Sequence, residues 1–361
     1  MSAPPPPLRV LVVDDSALVR EVLGGMLARE GHVVDIAADP IIAFERIKKA
    51  RPDVILLDLE MPRMDGLTFL RSVMSSDPIP VVVCSALTGP GTEAALRALE
   101  EGAIEIVTKP RLGVQGFLEE SATLLADSVR AAARARVRRR GPAARPPEPS
   151  VSAKVAFPAH GAPPTVSTDR VVVVAASTGG TEALGQLLKE LSPDAPGLVI
   201  VQHMPEVFTA AFARRLNEVC TIEVKEAENG DPVREGRALV APGNRHTRLR
   251  RTGTRYSVEV TNGPLVSRHR PSADVLFWST AQAAGVNAVG AILTGMGTDG
   301  ADGLLEMKLA GAHTIAQDEA SCVVFGMPGA AIARGAVCEV QPLSRIAGAI
   351  LRAARAERAV R

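Results

Sequence analysis

The stretch Val171-Val172-Val173-Val174-Ala175-Ala176-Ser177-Thr178-Gly179-Gly180-Thr181-Glu182-Ala183-Leu184 constrains this chain more than any other. Its valine run is too short for a membrane span. β-Branched and apolar throughout, it suits a strand buried on both faces of a parallel sheet. Small residues then turn the backbone, and Thr181-Glu182-Ala183-Leu184 opens a helix. Ser177 thereby stands at the carboxyl end of a strand and the amino end of a helix. Unpaired N–H groups and the helix dipole stabilise developing negative charge there. An activated serine nucleophile needs such a place, but a serine that only caps a helix occupies the same one. The stretch alone does not separate the two, because the G-x-S-x-G pattern is absent.

The amino-terminal third repeats the strand-to-helix alternation. Leu8–Val13, Val33–Ala37, Val54–Leu59, Ile79–Cys84 and Glu105–Thr108 read as strands. Helical patterns over Ala17–Arg29, Ile41–Lys49, Leu67–Met74 and Glu93–Glu101 separate them, and a last helix begins near Val114. Five such units predict a doubly wound parallel sheet with its site at the carboxyl ends of the strands. Asp14 and Asp15 follow the first strand, Asp58 lies in the third, Ser85 follows the fourth and Lys109 the fifth. Clustered carboxylates repel unless a cation joins them, and hard oxygen ligands suit Mg²⁺. Asp58 is then placed to attack phosphorus, with Lys109 and Ser85 on the phosphoryl oxygens. The plainer alternative is that these aspartates cap helices.

These residues resemble the receiver domain of two-component response regulators. The resemblance rests on Val12-Val13-Asp14-Asp15-Ser16, Leu57-Asp58-Leu59-Glu60-Met61-Pro62, Met64-Asp65-Gly66 and Thr108-Lys109-Pro110. It implies Asp58 as phosphoacceptor, Asp14 and Asp15 as Mg²⁺ carboxylates, the Glu60 carbonyl as a further ligand, and a cis Lys109–Pro110 bond. Many receivers carry an aromatic switch residue three positions before the lysine. Here Ile106 stands in that place, so the signal is expected to pass through Ser85 and the loop after it.

From Arg130 the composition turns to Ala and Arg, then to Pro, with Arg134, Arg136, Arg138, Arg139 and Arg140 in one run. A mobile tether is expected. Arginine runs also bind nucleic acid, but no reading module follows this one.

Beyond the linker, Gly197–Gln202, Ala238–Gly243 and Ala288–Leu293 continue the strand pattern, with Phe208–Leu216 helical and a short hairpin near Tyr256–Val260. Ser177, His203 and Asp299 each follow a separate strand, which brings nucleophile, imidazole and carboxylate to one sheet edge. His246, in a cleft loop, His269 and His313 rival His203, and Asp302 rivals Asp299.

This half resembles the catalytic domain of the chemotaxis protein-glutamate methylesterase family, CheB. The matching stretches are Ala176-Ser177-Thr178-Gly179-Gly180, Gln202-His203-Met204-Pro205 with Phe208-Thr209, and Arg270–Phe277. Leu293–Gly300 and Ala316-Gln317-Asp318-Glu319 complete them. The resemblance implies Ser177 as nucleophile, His203 as general base, Asp299 as orienting acid, and oxyanion N–H groups near Thr178 and Met296. The loop Gly243-Asn244-Arg245-His246-Thr247 departs by carrying Asn where a second Gly is usual.

The expected fold is α/β. It comprises a (βα)5 receiver on a doubly wound parallel sheet (8–126), a mobile basic and proline-rich linker (127–168), and a Rossmann-like α/β methylesterase domain (169–361). The expected activity is phosphorylation-activated hydrolysis of glutamate methyl esters on chemoreceptor helices, with glutamine deamidation beside it, for sensory adaptation. A histidine kinase is the expected phosphodonor. Mg²⁺ is expected in the receiver and no cofactor in the esterase site.

With 41 basic and 40 acidic residues, net charge argues for neither nucleic acid nor membrane. The four cysteines, Cys84, Cys220, Cys322 and Cys338, are far apart and read as reduced thiols. No signal core or spanning segment is read, so a cytoplasmic protein without membrane insertion is expected. A DNA-binding regulator and a non-catalytic phosphate sink are the rival functions. The gathering of Ser177, His203 and Asp299 counts against both.

Overall fold

A computed structural model describes residues 6–62, 64–85, 91–109, 115–135, 137 and 170–355. The amino-terminal unit runs β1 (Arg9–Val13), α1 (Ala17–Arg29), β2 (Val33–Ala37), α2 (Pro40–Lys49), β3 (Val54–Leu57), α3 (Gly66–Ser76), β4 (Val81–Ser85), α4 (Gly91–Glu100), β5 (Glu105–Thr108) and α5 (Gln115–Ala133). Its strands are parallel, in the order β2-β1-β3-β4-β5. Val10–Val13 pair with Val54–Leu57, so β1 and β3 end side by side where the strand order reverses. Asp14 and Asp58 emerge together there. The helix caps are other residues: Ser16 accepts from Val19 N–H, Asp39 from Ile42 N–H and Asp65 from Thr68 N–H. Asp58 lies just past β3 rather than in it, and Ser85 is the last residue of β4.

The carboxy-terminal unit runs β6 (Val171–Ala176), α6 (Gly180–Lys189), β7 (Gly197–Gln202), α7 (Glu206–Val219), β8 (Glu223–Glu226), β9 (Pro232–Val233), β10 (Arg237–Val240), β11 (His246–Thr252), β12 (Arg255–Thr261), α8 (Ala273–Ala283), β13 (Ala288–Ile292), α9 (Ala301–Leu309), β14 (His313–Gln317), α10 (Met327–Ala333), β15 (Glu339–Gln341) and α11 (Leu343–Arg355). Seven parallel strands order as β15-β14-β13-β6-β7-β10-β8, and β11-β12-β9 form an antiparallel sheet beside them. The valine run explains itself. Val172 and Val174 pack under Leu184, Leu187 and Ile350 on one face, while Val171 and Val173 meet the cluster of Leu276, Phe277 and Leu304 on the other. Each fully buried aliphatic side chain contributes roughly 1.5–3 kcal/mol, so a charge anywhere in β6 would break this layer.

His246 corrects an expectation. It is the first residue of β11 rather than part of a cleft loop, and it is buried. Its Nε2 lies 2.8 Å from the Pro264 carbonyl, and its Nδ1 faces the Ser272 N–H at 3.3 Å, so it braces the hairpin against α8. Asn244 answers the departure in the loop before it. It sits at φ 60, a left-handed backbone that glycine adopts freely and Asn tolerates best among the others.

The two units are in contact. Met204 and Phe208 pack into the cluster around Ile106 and Leu99, and Arg215 pairs with Glu100 at 2.8 Å. Helix α5 continues to Ala133, so the segment expected as linker from Asp127 begins inside the receiver's last helix. Its Ala and Arg residues are strong helix formers. The remainder of the tether, the Lys109–Pro110 bond and the loop after Ser85 lie outside the described residues.

Candidate active site

Strand β6 delivers Ser177 to the edge where the second sheet changes direction, between β6 and β13. Ser177 N–H donates to the Thr294 carbonyl at 3.0 Å, tying the turn to the end of β13. The cap of α6 is Gly179, not Ser177. Gly179 sits at φ 76, and a Cβ there would come within 2.5 Å of Val323. The capping role that rivalled nucleophilic chemistry is therefore filled by another residue. Gly295, on the neighbouring strand end, lies so close that a Cβ would stand 2.8 Å from that of Ser177.

His203 follows β7, its N–H donating to the Ala176 carbonyl at 3.0 Å. Gln202 Nε2 donates to the carbonyls of both Ser177 and His203, each at 3.0 Å, locking the two strand ends together. His203 Nε2 lies 2.8 Å from Asp299 Oδ2. His203 Nδ1 is buried and has no hydrogen-bond partner among the described residues.

Asp299 is enclosed. Its Oδ1 accepts from the Ser272 hydroxyl at 2.7 Å and from Asp274 N–H at 3.2 Å, and its Oδ2 also accepts from Ala273 N–H at 2.7 Å. Burial alone would raise its pKa, but the bond to His203, the charge of that ring and the α8 donors outweigh it. The carboxyl is held below the usual range. Asp274, the buried carboxyl beside it, is pushed up to about 6 by burial and by the charge of Asp299, against the bond from Gly303 N–H. Asp302, the sequence rival, is exposed and pairs with Arg334. His313 pairs with Glu339 at 3.1 Å, at the opposite end of β14. His269, the remaining rival, is inside the site and stacks on His203.

Ser177, Thr178, His203, His269 and Met296 line one cavity of about 830 Å³. The receiver closes its other side with Glu105, Ile106, Asp127 and Ser128. Glu105 is the residue that sequence reasoning missed. Its Oε2 accepts from the Thr178 hydroxyl at 2.9 Å and its Oε1 from the Ser128 hydroxyl at 3.2 Å. Burial raises its pKa, only partly offset by those two bonds. An acid opening a strand whose neighbours are apolar was the available signal.

At the receiver's own strand ends, Asp14, Asp15 and Asp58 each bring a carboxylate oxygen within 4.8 Å of the others. Lys109 Nζ pairs with Asp14 at 2.8 Å and Asp58 at 2.9 Å. Burial raises the Asp58 pKa, Lys109 lowers it, and the Asp14 charge raises it further. Three carboxylates facing one ammonium leave negative charge for a hard cation, so the donor set fits Mg²⁺. Ser85 is buried at the end of β4, and its carbonyl accepts from Lys109 N–H at 2.9 Å.

Residues 172–350 match the family described as CheB methylesterase, and 10–114 match the response regulator receiver domain. A protein-glutamate methylesterase/protein-glutamine glutaminase of Anaeromyxobacter dehalogenans is 61% identical over 357 residues, spanning 97% of each chain. One from Geobacter metallireducens is 57% identical over 349 residues, 96% of this chain and 98% of its own. The crystal structure of the Thermotoga maritima CheB methylesterase catalytic domain superposes with a TM-score of 0.50 at 34% identity, covering 51% of this chain and 97% of that one. The chain belongs to the CheB family of receiver-linked protein-glutamate methylesterases/protein-glutamine glutaminases.

Proposed function

We propose that this chain hydrolyses methyl esters of glutamate side chains on chemoreceptor helices under control of phosphorylation at Asp58, and deamidates receptor glutamines by the same chemistry. The observation that carries this reading is the His203 ring: one nitrogen is bonded to the buried Asp299, and the other, in the cavity that Ser177 lines, has no partner among the described residues. Ser177 Oγ attacks the ester carbonyl while His203 Nδ1 takes its proton. Asp299 holds the ring and stabilises the imidazolium. Backbone N–H groups of Thr178 and Met296 face the developing oxyanion. Methanol leaves with the proton from His203. Water, deprotonated by the same nitrogen, then releases the glutamate carboxylate and restores Ser177.

In the receiver, Asp14, Asp15, Asp58 and the Glu60 carbonyl would hold Mg²⁺, which supplies charge neutralisation for phosphoryl transfer. Asp58 is the acceptor, and Lys109 and Ser85 contact the phosphoryl oxygens. A histidine kinase is the phosphodonor and methyl-accepting chemoreceptors are the substrate. No helix among the described residues is long and apolar enough to cross a membrane, in keeping with work on the cytoplasmic ends of receptors.

The contacts support a receiver that restrains the esterase. Glu105 and Ile106 cover the cavity that a receptor helix must enter. Phosphorylation shifts the population toward forms in which the halves part. Methanol release from methylated receptor, with and without a phosphodonor, tests the reading. A rate that is absent in both conditions overturns it.

A further inference from the structure

The His269 imidazole has no part in the chemistry above, yet it lies face to face on that of His203. The ring centroids are 3.8 Å apart and the planes 10° from parallel. His203 is bonded at Nε2 alone, its Nδ1 being unpartnered among the described residues. A ring held at one corner swings, because the torsion to an aromatic ring is broad. A flat group stacked on its face removes that freedom and fixes the direction of Nδ1.

His269 is itself firmly held. Its Nδ1 lies 2.6 Å from the Ser267 carbonyl, so that nitrogen carries the proton and donates. The Ser267 hydroxyl donates to Asp274 Oδ2 at 3.1 Å, and Asp274 Oδ1 accepts from Gly303 N–H at 2.8 Å. Asp274 belongs to the first turn of α8, the same turn whose Ser272 and Ala273 bond Asp299. One helix end therefore sets both neighbours of His203: the carboxylate at its edge and the ring on its face. Ser267 and Arg268 take φ values of 50 and 65, which non-glycine residues seldom adopt. Such backbone persists where surrounding contacts dictate it. Burial and the nearby His203 lower the His269 pKa to about 4, so the stacked ring is neutral when His203 becomes charged.

We propose that His269 is a positioning residue: stacked on His203 and anchored through Ser267 to Asp274, it fixes the plane of the general base so that Nδ1 meets the Ser177 hydroxyl. The proposal rests on the reading of His203 as that base.

The test uses the full-length chain with a small-molecule phosphodonor and two readouts. Methanol release from methylated receptor gives kcat and KM, and labelling of Ser177 by a small fluorophosphonate reports nucleophile activation without receptor docking. His269→Ala is expected to lower both kcat and the labelling rate about 10- to 100-fold, the scale of a misplaced catalytic group, with KM within about twofold. His269→Phe keeps the flat ring but loses the Nδ1 anchor to Ser267, and is expected to recover part of both. Thermal melting and Asp58 phosphorylation confirm that each variant is folded. Wild-type labelling by His269→Ala overturns the proposal, as does a folded His269→Phe no better than His269→Ala. Undiminished labelling by folded His203→Ala overturns the underlying base assignment instead.

Discussion

Glu105, the first residue of β5, accepts a 2.9 Å hydrogen bond from the hydroxyl of Thr178, the residue after Ser177. At the other end of the strand Lys109 pairs with Asp58 at 2.9 Å. Four residues of extended chain, about 13 Å, thus join Asp58 to the turn that carries Ser177. The link needs no swinging aromatic ring. It offers a path past Ile106 besides the one expected through Ser85.

Removing that bond weakens docking. A hydrogen bond of this kind contributes about 0.5–1.5 kcal/mol, so Glu105→Ala is expected to raise the unphosphorylated methanol-release rate roughly 2- to 10-fold. The phosphorylated rate should change little. An unaltered basal rate in a folded variant would detach this contact from restraint.

The same carboxyl makes docking pH-dependent. Its pKa is raised in the docked form, so docking takes up a proton. Docking is strongest below the ordinary glutamate pKa and weakens as pH rises from there through the raised value. The ratio of unphosphorylated to phosphorylated rates should climb over that window. In Glu105→Gln the climb should vanish; its persistence would assign the effect to another group.

A fragment beginning near Thr168 is expected to hydrolyse methylated receptor faster than the unphosphorylated full-length chain. Phosphorylating the intact chain should bring it to, or past, the fragment's rate. A folded fragment slower than the intact unmodified protein would mean that the receiver assists catalysis rather than covering the site.

Asp58→Asn is expected to abolish a labile, Mg²⁺-dependent acyl phosphate while leaving the basal esterase rate near wild type. Labelling of wild type by phosphorylated kinase is the measurement. Label that survives chelation of Mg²⁺ would contradict the role given to Asp14 and Asp15.

Much of this was legible in the sequence because strand burial leaves plain marks. The valine run lacks alternation because both of its faces are covered. Polar residues just past strand ends, Asp14, Asp58, Lys109, Ser177 and His203, stand out against apolar strands, and Asp299 stands out in the glycine-rich loop that follows β13. Other features had no local signature. His246 and His269 are equally polar in sequence, and only the register of β11 with β12 buries one while the Ser267–Pro271 loop stacks the other on His203. Glu105 bonds across two units distant in sequence, which no periodicity reveals. Helix α5 runs past Asp127 to Ala133 because Arg130 and the alanines after it favour helix, and no Gly or Pro marks its end.

Attack of Ser177 on the receptor ester, under control of phosphorylation at Asp58, is what the whole mechanism turns on. Methanol release from methylated receptor by wild-type and Ser177→Ala chains, each with and without a phosphodonor, tests it most directly. Wild type should release methanol faster when phosphorylated, and folded Ser177→Ala should be at least ~10³-fold slower in both conditions. Near-normal release by folded Ser177→Ala, or a wild-type rate indifferent to the phosphodonor, would contradict the account.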